Sequence, residues 1–511
     1  MTEPRLLSIL IPAVGGQGGG VLMEWIHEAA LHAGLGAHGT SIPGVAQRTG
    51  STTYYLEIFD GGGGPALTVS LYPVPGAVDV LLAPELLEVG RMIELGFPSP
   101  GRTTIVTSTH RLYSIHEKMA LGRGVYPTEA LESAARQFSR RLVAFDALAA
   151  ASRHRTEANA VLLGALAASA CLPIPRESYR AAIEGRGVAV ESNLRGFEVG
   201  FELVAYPEPA AAPEPPPPPA VPPRFVEAVQ FFPESCRDVV ARAVARLIDY
   251  QNEDYADRFL GRLAPLVRRD ASDLPRLVAR YLAVWMTYED AIRVADLKTR
   301  RSRFERIRAE ARADGAEIIV TDYLKPDLDE LYGILPYRLV APFARWAERR
   351  WPQGRPTLGQ HVRTTTVLGF LRVWLLARLR FLRPSSYRAH HENARMDHWL
   401  GVVKQAAQWD DALACELARA AQLVKGYGDV RRRMAATFDH LLETVMRAGT
   451  IEADKGLDFA VSTALAAAYR TLVLSGPDGE TRAPAVAAEV MARLEANDRD
   501  AALASIDRAA A

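Results

Sequence analysis

Hydrophobic positions follow two regimes along the 511 residues. In the first two hundred, short apolar runs alternate with amphipathic stretches. Residues 6–11 (Leu-Leu-Ser-Ile-Leu-Ile) form a run of the kind buried on both faces of a parallel sheet. Val21, Leu22, Trp25, Ile26, Ala29 and Ala30 then recur at a helical period. Residues 37–42, 52–59, 78–82, 103–108 and 141–145 read as further strands, with 66–69 as a hairpin partner after the turn at 60–65. Residues 84–95, 127–138, 156–170, 175–185 and 191–205 read as helices. Strands alternating with helices predict an α/β domain with a mostly parallel, Rossmann-like sheet.

From residue 224 onward the apolar spacing is helical almost throughout. The pattern predicts helices over 235–250, 273–297, 336–350, 364–382, 393–424, 429–448, 458–474 and 483–510, with one short strand at 316–321. Between the two regimes lies a proline-rich stretch, 207–223, which favours an extended polyproline spacer. The expected organisation is an α/β domain over 1–206, a linker over 207–223 and a mainly α-helical domain over 224–511.

Composition narrows the function classes. Sixty basic and sixty acidic residues cancel, so no charge excess favours nucleic acid or an anionic membrane. Only Lys118, Lys298, Lys325, Lys404, Lys425 and Lys455 are lysines; the other basic residues are arginines. Cys171, Cys236 and Cys415 are far apart and odd in number, which argues against a disulfide framework and fits a reducing cytoplasm. Without a Cys-x-x-Cys run the chain cannot hold a conventional iron–sulfur cluster by itself. No signal peptide or membrane span is expected: Arg372, Arg378 and Arg380 interrupt the longest apolar stretch.

The densest chemical signal follows the first strand: Gly15-Gly16-Gln17-Gly18-Gly19-Gly20. Strand, glycine turn and helix together place free backbone N–H groups at a strand end, where anions bind. A P-loop is excluded because Val21 and Leu22 stand where Lys and Ser or Thr belong. A dinucleotide fingerprint lacks its third glycine, which is Val21, and residues 37–41 supply no ribose-binding acid. The same glycines can instead close strand against helix and bind nothing. In the helical half, His390, His391, Glu392 and His398 lack metal-protease spacing and read as a solvated helix start. Asp254, Glu289, Asp290 and Asp296 could line a pocket or satisfy one another between helices.

A second segment, Gly44-Val45-Ala46-Gln47-Arg48-Thr49-Gly50-Ser51, lies between two expected strands. With the turn at Gly15, Gly16, Gln17 and Gly18, it resembles the gamma module of the 2-oxoacid:ferredoxin oxidoreductases, in particular the beta subunit of the indolepyruvate enzymes. Thr49 stands in place of the first glycine of that family's usual pair. Similar stretches follow in order at 78–85, 158–165 and 193–200. Looser ones at 249–256, 288–297 and 425–430 are similar to the long, fused bacterial indolepyruvate oxidoreductases.

The resemblance implies a subunit of a thiamine diphosphate-dependent arylpyruvate:ferredoxin oxidoreductase that decarboxylates 2-oxo acids oxidatively. It implies that this chain binds no cofactor alone and is inactive alone. Thiamine diphosphate, Mg²⁺ and [4Fe–4S] clusters would belong to a larger alpha subunit, ferredoxin would accept the electrons, and the assembly would be α2β2. The one Asp-Gly pair with a glycine before it, at 475–480, carries Pro477, lacks the required Asn and reads as a surface turn. Gly44, Gln47, Arg48, Gly50 and Ser51 are the candidate active-site or interface loop. Gln can hydrogen-bond a carbonyl, and Arg can clamp a carboxylate at two points. The bland alternative pairs Arg48 with an acid such as Glu57. Subunits acting on another 2-oxo acid, or a docking scaffold without catalysis, remain the alternatives.

Overall fold

The computed structural model describes residues 5–42, 51–60, 69–113, 117, 126–206, 221–266, 272–311, 317–352 and 354–510. The loop at 43–50, the hairpin partner expected at 66–69 except Val69, and the linker stretch 207–220 lie outside the described residues. Chain contacts divide the protein into two units, Met1–Glu214 and Pro215–Ala511.

The first unit is built on a six-stranded sheet. Its strands are β1 (Arg5–Val14), β2 (Gly36–Ile42), β3 (Ser51–Asp60), β4 (Val80–Ala83), β5 (Thr104–Ser108) and β6 (Arg141–Phe145), in the order β2-β3-β1-β4-β5-β6. β1, β4, β5 and β6 run parallel. β3 lies antiparallel between β1 and β2. The sheet is therefore mixed on one side and parallel on the other.

Alternation along β1 feeds two cores. Leu7, Ile9 and Ile11 point to one face, under α1 (Gly19–His32) and the later helices of the unit. Leu10 points to the other face, with Tyr55, Leu81 and Ile105, under α2 (Leu86–Glu94) and α3 (Thr128–Gln137). Burial on both faces is why these strands read as continuous apolar runs. α4 (Ala147–Arg153), α5 (Ala158–Ser169), α6 (Arg176–Arg186) and α7 (Val190–Ala205) complete the unit. α5 and α7 cross at backbone contact. A methyl on Gly164 would lie 1.9 Å from the Phe197 carbonyl oxygen, and one on Gly200 1.8 Å from that of Val161. Gly164, Gly196 and Gly200 belong to the family-like stretches at 158–165 and 193–200, and their role here is this crossing.

The second unit is helical, with one small strand pair. The stretch expected as one helix over 273–297 is two, α11 (Leu274–Met286) and α12 (Ala291–Thr299), following α8 (Val226–Gln230), α9 (Glu234–Tyr250) and α10 (Glu253–Leu263). Asp290 makes the break: its Oδ1 accepts the Arg293 N–H at 2.6 Å, a side-chain N-cap. After α13 (Arg301–Glu310), the expected strand at 316–321 starts only at Thr321: β7 (Thr321–Leu324) pairs with β8 (Gln360–Arg363). Between them lie α14 (Leu328–Gly333) and α15 (Tyr337–Arg350).

Beyond α16 (Val367–Arg378), the stretch 393–424 divides in the same way into α17 (Tyr387–Trp409) and α18 (Asp411–Ala420), with Asp410 accepting the Leu413 N–H at 2.7 Å. α19 (Gly428–Asp454), α20 (Ala460–Ser475), α21 (Pro477–Glu495) and α22 (Arg499–Ala510) finish the chain. The expected turn at 475–480 is instead a helix start, with Gly476 at φ +135° and Pro477 in the first turn of α21.

The polar centre of this unit is Arg383, 3% exposed. Its Nε and Nη2 donate to the two Asp290 carboxylate oxygens at 2.7 and 3.1 Å. Its Nη1 donates to the Tyr250 carbonyl at 2.9 Å and to Gln251 Oε1 at 2.7 Å, and its guanidinium lies over the Tyr250 ring. Asp290 thus satisfies a buried partner rather than lining a pocket. Asp296 pairs with Arg293 and Arg300, and Glu289 accepts the Tyr427 hydroxyl.

Candidate functional site

In the first unit the carboxyl ends of β1, β4, β5 and β6 lie along one edge of the sheet. Because β3 runs the other way, Ser51 opposite Val14 and Ile42 opposite Thr53 bring its start and the end of β2 to that same edge. Ligands bind at this edge in open α/β sheets. The two strand ends that bracket residues 43–50 therefore flank the glycine turn. Gly44, Gln47, Arg48 and Gly50 themselves lie outside the described residues.

The turn is closed from within. Gln17 donates its N–H to the Val14 carbonyl at 3.1 Å, and its Oε1 accepts the Val14 N–H at 2.8 Å. Gly16 has φ +89° and Gly18 φ +72°, in the left-handed region that favours glycine. A methyl on Gly19 would stand 2.7 Å from both Ala13 Cβ and the Tyr54 ring, so glycine lets α1 lie directly on the sheet. No side chain caps α1.

Ser51 is buried in a polar knot. Its hydroxyl donates to Glu88 Oε2 at 2.7 Å and accepts from Arg91 Nη2 at 2.7 Å. Arg91 also donates through Nε to Glu88 Oε2 at 2.9 Å. Beside it Glu85, 1% exposed, accepts the Leu112 N–H at 2.8 Å. Burial pushes the Glu85 carboxyl up to about 7; Glu88 and Glu117 add to the rise, while the Leu112 N–H and Arg111 oppose it. Arg111 pairs with the buried Glu117. Glu57, considered as a partner for Arg48, accepts the Tyr55 hydroxyl at 2.7 Å and the Ser70 N–H at 2.8 Å.

The structure thus brings Gly15, Gly16, Gln17, Gly18 and Ser51 to one edge, and adds Glu85, Glu88 and Arg91. Sequence reasoning missed those three. The available signal was an acid, Glu85, two residues after the apolar strand at 80–83, and a second acid one helical turn on.

The second unit holds a cavity of about 280 Å³ walled by α14, α15, α17 and the start of α19. Tyr332, Tyr387 and Tyr427 line it among arginines and acids. Arg355 and Arg432 both pair with Asp329. Arg431 Nη2 donates to Glu392 Oε2 at 2.6 Å. Burial alone would raise Glu392, yet Arg431 and Arg388 hold its carboxyl below the usual range. His391 also reaches this cavity, and burial, helped by His390, keeps its imidazole below its ordinary value. Among the described residues no group of three or more His, Cys, Asp and Glu could hold a metal ion, and no helix is long and apolar enough to cross a membrane.

Comparison with known proteins separates the same two regions. Residues 8–203 match the family described as pyruvate ferredoxin/flavodoxin oxidoreductase. Residues 236–444 match a family of unknown function (DUF6537). The indolepyruvate oxidoreductase subunit IorB of Thermococcus kodakarensis is 28% identical over 199 residues, 38% of this chain and 93% of that protein. The IorB subunit of Pyrococcus horikoshii matches with the same identity and coverage. Among solved structures, the gamma subunit of a keto/oxoacid ferredoxin oxidoreductase from Geobacter sulfurreducens covers 39% of this chain and 95% of its own, with 22% identity and a TM-score of 0.27. The pyruvate oxidoreductase subunit PORC of Thermotoga maritima covers 39% and 96%, with 19% identity and a TM-score of 0.28. Over residues 8–203 the first unit is therefore similar to the pyruvate ferredoxin/flavodoxin oxidoreductase family and to the IorB subunits.

Proposed function

We propose that this chain is the subunit of an arylpyruvate, foremost indolepyruvate, ferredoxin oxidoreductase that carries no cofactor of its own and completes the active site of a larger subunit. The observation that carries the reading is the family match over residues 8–203, on a unit whose glycine turn and Ser51 share the carboxyl edge of the sheet. In this reading residues 1–206 dock on the partner, 207–223 serve as spacer, and 224–511 form an accessory domain.

The chain's own residues do not fit thiamine diphosphate. The segment 475–480, the best candidate in the sequence, is occupied by the first turn of α21, with Asp478 exposed. Three scattered cysteines do not make a cluster site. Both groups, with Mg²⁺, are assigned to the larger alpha subunit, in an α2β2 assembly that passes electrons to ferredoxin. What this chain supplies is positioning. Arg48 would clamp the carboxylate of the 2-oxo acid, Gln47 would hydrogen-bond its carbonyl, and the Ser51–Glu88–Arg91 knot would fix the base of that loop.

The test is purification from the native host through a tag on this chain. A larger subunit carrying thiamine diphosphate and iron should co-elute, and the eluate should reduce a viologen dye with indolepyruvate or phenylpyruvate. Arg48→Ala should then lower kcat/KM by at least ~10-fold with the complex intact. A chain that elutes alone, or a complex active with neither arylpyruvate, would refute the reading; activity with pyruvate instead would move it to another 2-oxo acid.

A further inference from the structure

One helix of the second unit is apolar toward solvent as well as toward the core. α16 buries Val373 against Ala295 and Val362. Val367, Leu368, Leu371 and Leu375 lie on the opposite face, at the spacing i, i+1, i+4 and i+8, and are 82%, 81%, 43% and 53% exposed. Phe381, 69% exposed, follows in the turn at 379–385. A surface helix of a folded unit normally turns polar side chains to water, and a row of aliphatic residues there marks a site of association.

The charge around this row has one sign. Residues 349–391 contain nine arginines and no Asp or Glu. Arg355, Arg383 and Arg388 meet acids from other parts of the unit. Arg363, Arg372, Arg378 and Arg380 are exposed and have no ion pair among the described residues. α13 touches α16 through Phe304 and Phe370, but its Glu305 and Glu310 are taken by Arg301 and Arg306 of their own helix. Arg372 and Arg378 flank the aliphatic row, and both are held in place. Arg372 donates to Gln360 Oε1, and the Arg378 guanidinium lies over the Trp374 ring at 4.6 Å.

We propose that the solvent face of α16, with Phe381, is a docking surface for a second protein that offers an apolar groove rimmed by carboxylates. That this protein is the larger subunit rests on the reading above; the chemistry of the face does not. Aliphatic residues at i, i+4 and i+8 are the anchors a helix lays into such a groove. A second copy of the same face would set arginine against arginine. A lipid surface asks only for diffuse positive charge, whereas guanidiniums fixed by Gln360 and Trp374 suit two-point pairing with carboxylates. The helical unit then gives this chain a second point of attachment, which raises the avidity of the whole assembly.

The test uses the complex purified from the native host through a tag on this chain, with a photo-reactive benzophenone side chain in place of Leu368. Irradiation should cross-link that position to an acid-rich segment of the larger subunit, read by peptide mass spectrometry. Leu368→Glu with Leu371→Glu, and separately Arg372→Glu, should each lower the recovery of larger subunit per tagged chain by at least ~10-fold in ~0.3 M salt. Thermal melts of the free chain should not change, because all three side chains are exposed. A cross-link to a second copy of this chain, a cross-link to a segment without acids, or no cross-link at all would overturn the proposal. So would full recovery of the larger subunit with both folded variants, a chain that elutes alone, or binding to phosphatidylcholine–phosphatidylserine vesicles that the same variants abolish. A complex that oxidises indolepyruvate yet gives no cross-link sinks the docking face alone. A cross-linked complex inactive with arylpyruvates sinks the substrate reading alone.

Discussion

Gly200→Ala and Gly185→Ala make the same chemical change on two helices of one unit and should act in opposite directions. Gly185 lies on the exposed face of α6, with nothing within 4 Å of an added methyl. Alanine there removes backbone entropy from the unfolded chain and should stabilise by ~0.5–1 kcal/mol. Gly200 gains the same propensity term, but its methyl would start 1.8 Å from the Val161 carbonyl oxygen. The obstacle is backbone, so relief requires α5 and α7 to separate by more than an ångström along their contact. Overpacking of this kind costs ~1–3 kcal/mol, and backbone obstruction belongs at the upper end of that range, so a net loss of roughly 2 kcal/mol remains after the propensity gain. For a unit of about 200 residues, 1 kcal/mol moves the midpoint by roughly 2–4 °C. Scanning calorimetry should show the transition of the first unit falling in Gly200→Ala and rising in Gly185→Ala. Hydrogen exchange should quicken in peptides covering 158–169 and 190–205. A Gly200→Ala chain as stable as Gly185→Ala would refute the close crossing.

Three further outcomes follow from groups already described. Glu85 has a folded pKa of about 7 against an ordinary 4.5, so the folded state binds the extra proton between those values. Its contribution is fully present below about 4.5 and is lost as the pH rises through about 7. Glu85→Gln should therefore gain stability relative to the parent as pH climbs through that window, in urea melts at matched ionic strength; parallel pH profiles would contradict it. Asp290→Ala leaves Arg383 buried without its carboxylate and should cost ~3–5 kcal/mol in the denaturation of the second unit, whereas Asp290→Ala with Arg383→Met should recover most of it. Gln17→Ala removes the acceptor of the Val14 N–H and should destabilise the first unit by ~1 kcal/mol, visible as faster exchange at the end of β1.

Much of the first unit is legible because β1 and β4 are buried on both faces and so read as apolar runs, and because the glycines from Gly15 on mark the turn, where Gly16 and Gly18 take positive φ. Strand direction is not: residues 52–59 look the same whether they run with or against their neighbours, and only the pairing of Ser51 with Val14 shows that β3 is reversed. In the helical unit, periodicity finds the helices and overlooks the breaks, since Asp290 and Asp410 end a helix through one side-chain hydrogen bond that leaves the apolar spacing intact. At the candidate site the turn and Ser51 are readable as a motif, while the Glu85, Glu88 and Arg91 group is assembled by the packing of α2 against β3. The partners of Arg383 are 93 to 133 residues away in the chain, and no local pattern announces them.

That distance sets an order of events during synthesis. Tyr250, Gln251 and Asp290 leave the ribosome well before Arg383. At ~5–20 residues per second, Asp290 waits about 5–20 s for the 93 residues that separate it from its guanidinium. Throughout that interval α9 to α12 carry a carboxylate and a backbone carbonyl that the finished core will bury, and neither can be withdrawn from water at low cost. Closing the interior before Arg383 is made would strand both groups, so the wide sequence separation of this polar centre favours drying the unit's interior only after residue 383 has been synthesised.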